Sequence, residues 1–283
     1  MRTTTAGPAA TVSALLRTAH LLPSIAVTAF TTAAAGAAGR SAGGCLLVAA
    51  AVASGQLSIG WSNDLLDRRR DEQAGRVDKP LATGEVSPGL VVRACALAVV
   101  LCVPLSLASG VVAGTAHLAS VAGGWAYNLG LKRTVLSAVP YAGSFALLTA
   151  FATLGLPGGP WPRPWALAAG ALLGVGAHFL NVVPDVEQDL AAGVRGLPQR
   201  LGARRSAVLG AVLLWAACAL VVLGPGTPVP GWVLAGLAVA AATAVSAAVA
   251  GRRQTPSRRP FLLAVATAAV AVALIVSRGS ELT

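Results

Sequence analysis

Gly44-Cys45-Leu46-Leu47-Val48-Ala49-Ala50-Ala51-Val52-Ala53-Ser54-Gly55-Gln56-Leu57-Ser58-Ile59-Gly60-Trp61 is an apolar run without a charge, and it leads directly into Ser62-Asn63-Asp64-Leu65-Leu66-Asp67-Arg68-Arg69-Arg70-Asp71. The run has the length an α-helix needs, ~20 residues, to cross ~30 Å of hydrocarbon. The acids at its end carry the second half of the message. A carboxylate at the bilayer centre costs ~2.5–3.5 kcal/mol, so acids at the end of an apolar helix need cations or a wet cavity as partners. Nine of the ten acidic residues fall in two stretches, 64–85 and 185–189. Such concentration points to a metal-binding site in a membrane protein.

The rest of the chain agrees. It has 283 residues, 55% of them hydrophobic and 11% charged, with a mean hydropathy of +0.73. That is too apolar for a soluble domain of this size. The pattern predicts an all-α integral membrane bundle of about nine transmembrane helices, near 14–34, 42–62, 89–109, 112–130, 135–155, 165–183, 205–224, 230–250 and 260–278. The net charge of +11 is not a nucleic-acid footprint, because of where it lies. With a cytoplasmic N-terminus, 18 of the 21 basic residues fall on the cytoplasmic side and only Arg40, Arg163 and Arg278 lie outside. That split follows the positive-inside rule and predicts a multi-pass protein of the plasma membrane with both acidic clusters, Lys132-Arg133 and Arg252-Arg253 facing the cytoplasm. Cys45, Cys95, Cys102 and Cys218 lie inside predicted spans at no metal-ligand spacing and read as small core residues. The first apolar run is expected to be a span rather than a cleaved signal, since eight more follow and no A-x-A site ends it.

The 32 glycines suit close helix packing in lipid and say nothing about chemistry. An internal echo says more: acidic motifs follow spans 2 and 6, and basic pairs follow spans 4 and 8. This suggests two four-helix halves, about 14–130 and 135–250, facing each other across a central cavity, plus a ninth helix. The loops near 110, 156–164 and 225–230 are short and rich in Gly and Pro, whereas 63–88 and 184–204 are long and polar, where an active-site mouth would be built.

Asp64, Asp67 and Asp71 are spaced i, i+3, i+7 with Asn63 just before, so on a continuing helix the acids form one stripe. Like charges at that spacing repel unless a cation intervenes, and Mg²⁺, which takes a few carboxylates and completes its octahedron with water and phosphate, fits. The bland alternative is a solvated helix end with Asp64–Arg68 and Asp67–Arg70 pairs. Asp185 and Asp189, i and i+4, follow Asn181 and precede Gly193, Arg195 and Leu197-Pro198. Alone, this pattern is ordinary on a surface helix. Two such motifs on one membrane face argue for a shared site holding Mg²⁺ ions around a diphosphate, whose departure the metals would ease. Arg68, Arg76, Lys79, Lys132, Arg133 and Arg195 are the candidate diphosphate-binding cations, with topological anchoring as the alternative role for each.

Together, Asn63-Asp64-x-x-Asp67-x-x-x-Asp71, Arg76-x-Asp78-Lys79-Pro80-Leu81-x-x-Gly84, Tyr127-x-x-x-x-Lys132-Arg133 and Asp185-x-x-x-Asp189-x-x-x-Gly193 resemble the UbiA superfamily of intramembrane prenyltransferases, over residues 14–278. The resemblance implies a single domain over 1–283, a nine-helix bundle with a capped central cavity, and Mg²⁺-dependent transfer of a prenyl group from an isoprenyl diphosphate to an acceptor. It assigns Asn63, Asp64, Asp67, Asp71, Asp185 and Asp189 to metal and diphosphate, and Lys132 and Arg133 to diphosphate oxygens.

The acceptor is expected to be aromatic or quinone-like. Trp61, Trp125, Tyr127, Asn128, Tyr141, Phe145, His178 and Asn181 lie near the predicted site. Aromatic faces there can stabilise an allylic cation or sit in the interfacial belt. His178 can accept a proton or be a buried histidine bonded to a neighbouring helix; His20 and His117, without acidic companions in sequence, receive no role. Two rivals remain. One is a terpene cyclase of the same fold that needs no acceptor. The other is a transporter, which is disfavoured because its ionisable residues would sit near mid-membrane in broken helices.

Overall fold

The apolar run and the acids after it form one continuous helix, α3 (Ala42–Gln73), 32 residues long. At 1.5 Å per residue this is about 48 Å, longer than the ~30 Å hydrocarbon core, so its acidic last turns extend beyond what the apolar part needs to cross. Ser41 caps its start, Oγ accepting from the Gly44 amide at 3.1 Å. The computed structural model describes residues 7–250 and 259–283; the expected basic pair Arg252-Arg253 lies outside the described residues.

Around α3 stand α1 (Pro8–Arg17), α2 (Leu21–Ala37), α4 (Pro80–Thr83), α5 (Pro88–Leu107), α6 (Val111–Leu129), α7 (Ala138–Leu154), α8 (Pro164–Val182), α9 (Val186–Ala191), α10 (Leu197–Leu201), α11 (Ala203–Leu223), α12 (Gly231–Ala250) and α13 (Arg259–Arg278). No strand occurs among the described residues. Nine helices of 17 residues or more lie among the described residues, close to the predicted spans. By length and apolarity six candidate spans are found, or seven when α1 and α2 count as one bent pair. The count of nine crossings is therefore not reached on this measure; α6, for example, carries His117, Tyr127 and Asn128.

α3 packs on α2 and α5, α8 on α7 and α11, and α13 closes the ring against α2, α8, α11 and α12. The interhelical core is built of Ala, Val and Leu, with Phe30 and Phe151 as its large buried aromatics. One expected span is not a single helix. The run 14–34 breaks between α1 and α2, which meet at 69°. At the break His20 adopts a left-handed conformation, φ 52°, which costs a non-glycine residue energy and persists only when surrounding contacts fix it. Gly60 is one of those contacts. A Cβ there would collide with the Ala19 carbonyl, so only glycine lets α3 approach the break.

The three arginines assigned to the far side share a physical solution. Arg40 donates to the Ala152 and Phe151 carbonyls at the end of α7, at 3.0 and 2.6 Å. Arg278 donates to Val222 O at 3.0 Å near the end of α11, and Arg163 to Thr283 O at 3.2 Å. All three donate to backbone carbonyls, and for Arg40 and Arg278 these lie in the last turn of a helix, where carbonyls have no intrahelical partner.

Candidate active site

A cavity of about 330 Å³ opens between α2, α3, α6, α7, α8 and α13, and both acidic motifs reach it: Asp67 and Asp71 from α3, Asp185 and Asp189 from the segment after α8. Pro184 stops α8 and bends the chain through a short 3₁₀ turn, Val183–Asp185, into α9. Asn63, Arg76, Lys79, Tyr127, Asn128, Lys132 and Asn181 line the same space. Residues roughly 120 positions apart in the chain are thus brought to one chamber, as expected.

The helix face decides who enters. With ~100° per residue, Asn63 and Asp67 lie at the centre of the cavity-facing side of α3, and Arg70 falls ~60° from Asp67 on the Asn63 flank. Arg70 therefore lines the cavity and donates to Asp67 Oδ2 at 2.9 Å, whereas Arg68 pairs with Glu72 at 2.7 Å and does not line it. The sequence reading named Arg68 and omitted Arg70; the position of Asn63 was the available signal. Asp64 lies on the opposite flank, 2% exposed, and its Oδ1 accepts from Lys79 Nζ at 2.7 Å and contacts His20 Nε2 at 2.9 Å. Its Oδ2 is buried without a hydrogen-bond partner.

His20 is thus the residue that sequence reasoning passed over, since its acidic companion sits 44 positions away and only the helix break aims the ring at it. Gln199 was passed over too. It is buried, lines the cavity and donates to Asp189 Oδ2 at 2.8 Å.

Lys132, 5% exposed, donates to both Asp67 oxygens at 2.7 and 2.6 Å. Burial pushes its ammonium below the usual lysine range, while Asp67 pulls the other way. Arg76 forms a fork to Asp78 at 2.8 and 2.9 Å, donates to Gln188 at 3.3 Å and stands 3.8 Å from Asp185. The hydrogen-bonded pair raises the Arg76 pKa and holds Asp78 down at about 2. Arg76 thereby ties the loop after α3 to the second acidic motif. Arg133 and Arg195 are exposed and do not line the cavity.

The apolar part of the chamber holds Phe30, Tyr127, Tyr141 and Phe145. Tyr127 and Tyr141 meet edge-to-face with centroids 5.1 Å apart, and Tyr141 stacks on His178 at 4.4 Å. His178 itself is fully buried, does not line the cavity, and contacts Ser137 Oγ at 3.2 Å. It is the histidine bonded to a neighbouring segment, not one open to a substrate. Asn63 donates its amide to Asn128, which in turn is held by Ile59 O and Ser62, at 2.9–3.0 Å. That commits the Asn63 nitrogen. Trp61 and Trp125 point away, to Leu15 O and Ser58.

The donor set suits a hard cation. Carboxylate oxygens from two motifs and an amide oxygen of Asn63 are all oxygen ligands of the type Mg²⁺ takes, whereas Asp64, expected among them, does not line the cavity and keeps its Oδ2 buried behind it. No three His, Cys, Asp or Glu side chains converge on one point among the described residues. A cation here would complete its shell with water and substrate phosphate, as Mg²⁺ commonly does.

Comparisons with known proteins bear on the fold and the family. A solved UbiA homologue from Archaeoglobus fulgidus bound to GPP and Mg²⁺ superposes with TM-score 0.70 at 19% identity, covering 94% of this chain and 98% of that one. A UbiA homologue from Aeropyrum pernix K1 superposes at 0.71 with 18% identity, covering 90% and 97%. In sequence, the digeranylgeranylglyceryl phosphate synthase of Methanothrix thermoacetophila is 30% identical over 170 residues, 58% of this chain and 61% of that protein, so the match spans about three-fifths of the relative's length. The profile of the UbiA prenyltransferase family matches residues 22–268, and the chain belongs to that family of multi-pass membrane proteins.

Proposed function

We propose that the protein is a Mg²⁺-dependent intramembrane prenyltransferase that moves an isoprenyl group from an isoprenyl diphosphate to an acceptor. The observation that carries this reading is the charge balance of the chamber. Asp67, Asp71, Asp185 and Asp189 face Arg70, Arg76, Lys79 and Lys132, with Asp64 behind Lys79. Carboxylates and cations nearly cancel, so a polyanionic diphosphate gains little from the side chains alone and needs divalent cations as partners. When bound, Mg²⁺ would neutralise the leaving diphosphate, held by Asn63, Asp64, Asp67, Asp71, Asp185 and Asp189.

The residues supply the rest. Lys132, Arg70, Arg76 and Lys79 donate to diphosphate oxygens as the allylic C–O bond breaks and its electron pair leaves with the diphosphate. Tyr127, Tyr141 and Phe145 surround the prenyl carbon with aromatic faces that favour a cation and exclude water. A nucleophilic atom of the acceptor then bonds that carbon and loses its proton. The apolar wall of Phe30, Leu148 and Leu173 receives the tail.

For the acceptor, the aromatic wall favours an aromatic or quinone-like ring, which would stack beside Tyr127 and Tyr141. A second reading is a glyceryl phosphate ether, favoured by the Methanothrix relative's named product and by the Lys79 ammonium at the cavity edge. We place the protein in the plasma membrane with its N-terminus and both acidic motifs cytoplasmic, on the basic-residue split.

The test is purified protein in detergent, incubated with Mg²⁺ and a panel of isoprenyl diphosphates, each with a hydroquinone, an aromatic acid, a glyceryl phosphate or no acceptor. Mg²⁺-dependent, EDTA-sensitive prenylation of one acceptor supports the reading and selects the class. Diphosphate release with a hydrocarbon product in the absence of acceptor selects the cyclase instead, and no diphosphate release with any donor overturns both.

A further inference from the structure

We propose a second anionic-ligand site, sharing no lining residue with the chamber: a groove on α11 that holds one anionic phospholipid. It is lined by Arg204, Arg205, Val208, Leu209 and Val212, all from this helix. Their spacing makes the groove. Arg204, Val208 and Val212 form one i, i+4 row, Arg205 and Leu209 the neighbouring row, and rows spaced this way leave a shallow channel along a helix.

The chemistry changes along that channel. Arg204 and Arg205 occupy the first turn of α11, at the end of the bundle that carries the acidic motifs, and both are exposed. Neither has a carboxylate partner among the described residues, in contrast to Arg68, Arg70 and Arg76, each paired with an acid. Leu209 and Val212 then continue the channel as exposed apolar surface, 38% and 53% accessible, on a helix apolar enough to cross a membrane. Two unpaired guanidinium groups above an apolar trough match a phosphate with an acyl chain below it. Guanidinium binds phosphate oxygens in a bidentate fork, and an arginine at the interface keeps its head at headgroup depth while its stem covers apolar surface.

A zwitterionic lipid offers the same chain without the net charge, so charge complementarity selects the anionic one. Near an anionic interface each basic residue contributes enough that two together amount to about 30-fold in affinity. A soluble phosphate has no use for the apolar trough, which is why the occupant is a lipid. This inference does not depend on the prenyl-transfer reading.

The experiment is native mass spectrometry of the detergent-solubilised full chain titrated with phosphatidylglycerol or phosphatidylcholine of the same acyl composition. One saturable phosphatidylglycerol site is expected, on the order of 30-fold tighter than phosphatidylcholine. Arg204→Gln/Arg205→Gln should reduce it to the phosphatidylcholine level, while Arg93→Gln, an exposed arginine at the start of α5, should leave it unchanged. Val208→Trp, which fills the trough and keeps both charges, should also weaken binding and guards against misfolding of the double variant. Equal binding of the two lipids overturns the proposal. So does a double variant that folds and binds as before, or displacement of the lipid by inorganic phosphate at equal concentration, which would make the site one for a free anion.

Discussion

The ring of His20 lies 2.9 Å from Asp64 Oδ1 across 44 positions of chain, and Lys79 Nζ meets the same oxygen at 2.7 Å. One carboxylate oxygen is thereby fixed and the other, Oδ2, is left without a protein partner. Groups that orient a metal-ligating side chain typically matter about 10-fold or more. Under the proposed function, His20→Ala should raise the Mg²⁺ concentration for half-maximal activity by about 10-fold at intact fold, while Asp64→Asn should abolish turnover. A His20→Ala enzyme with the parent's Mg²⁺ titration curve would remove His20 from the site.

Asp67 and Lys132 form a buried pair, with side-chain exposures of 5% and 6%. Removing one member of such a pair leaves an uncompensated charge, at a cost of about 3 kcal/mol or more. Asp67→Asn should lower the unfolding temperature in detergent as well as remove activity. Adding Lys132→Met should recover the stability and not the activity. If the single variant melts with the parent, Lys132 is neutralised in another way.

Gly60→Ala places a methyl group against the Ala19 carbonyl at the α1–α2 break. Overpacking against backbone costs about 1–3 kcal/mol, and relief requires moving the break that carries His20. Loss of stability and the weakened Mg²⁺ response of His20→Ala should therefore appear together in this variant. Melting curves and Mg²⁺ titrations indistinguishable from the parent's would show that α3 does not need this close approach.

Arg76 holds Asp78 down at about 2 from an ordinary value of 3.8. A depressed carboxylate contributes stability that is fully present above its unfolded pKa and lost as pH falls through the folded one. The contribution should be constant above roughly pH 5 and decline between about pH 4 and 2. Subtracting the acid-unfolding profile of Asp78→Asn from that of the parent should isolate this decline. A difference that is flat over that window, or that grows on acidification, contradicts the pairing.

Arg40 donates to Ser109 Oγ at 3.2 Å and its guanidinium lies against Gly155, so the loops 38–41, 108–110 and 155–163 share one end of the bundle. Reporter fusions after residues 78 and 195 should read cytoplasmic and fusions after 109 and 160 external. A split within either pair breaks the topology.

Much of this is legible in the amino-acid sequence. The run 44–61 names a membrane helix because only apolar side chains tolerate hydrocarbon, and the acids at its end name a site because carboxylates there need partners. The i, i+3, i+7 spacing put Asp64, Asp67 and Asp71 in one stripe of α3 because helix phase is a local property, and Asp67 and Asp71 of that stripe line the chamber. What stayed hidden is what depends on which helix faces which. Arg70 rather than Arg68 enters the chamber because the cavity lies on the Asn63 flank, and that direction is set by how α3 packs between α2 and α5. His20 joins Asp64 because a break at 69° and a left-handed residue turn α2 toward α3, a strained geometry stabilised by contacts such as Gly60 on Ala19 rather than by local preference. His178, plausible as a proton acceptor by its distance from Asp185, is sealed behind Tyr141 instead. Sequence determined which residues carry charge into an apolar bundle; the packing of helices far apart in the chain decided which of those charges meet.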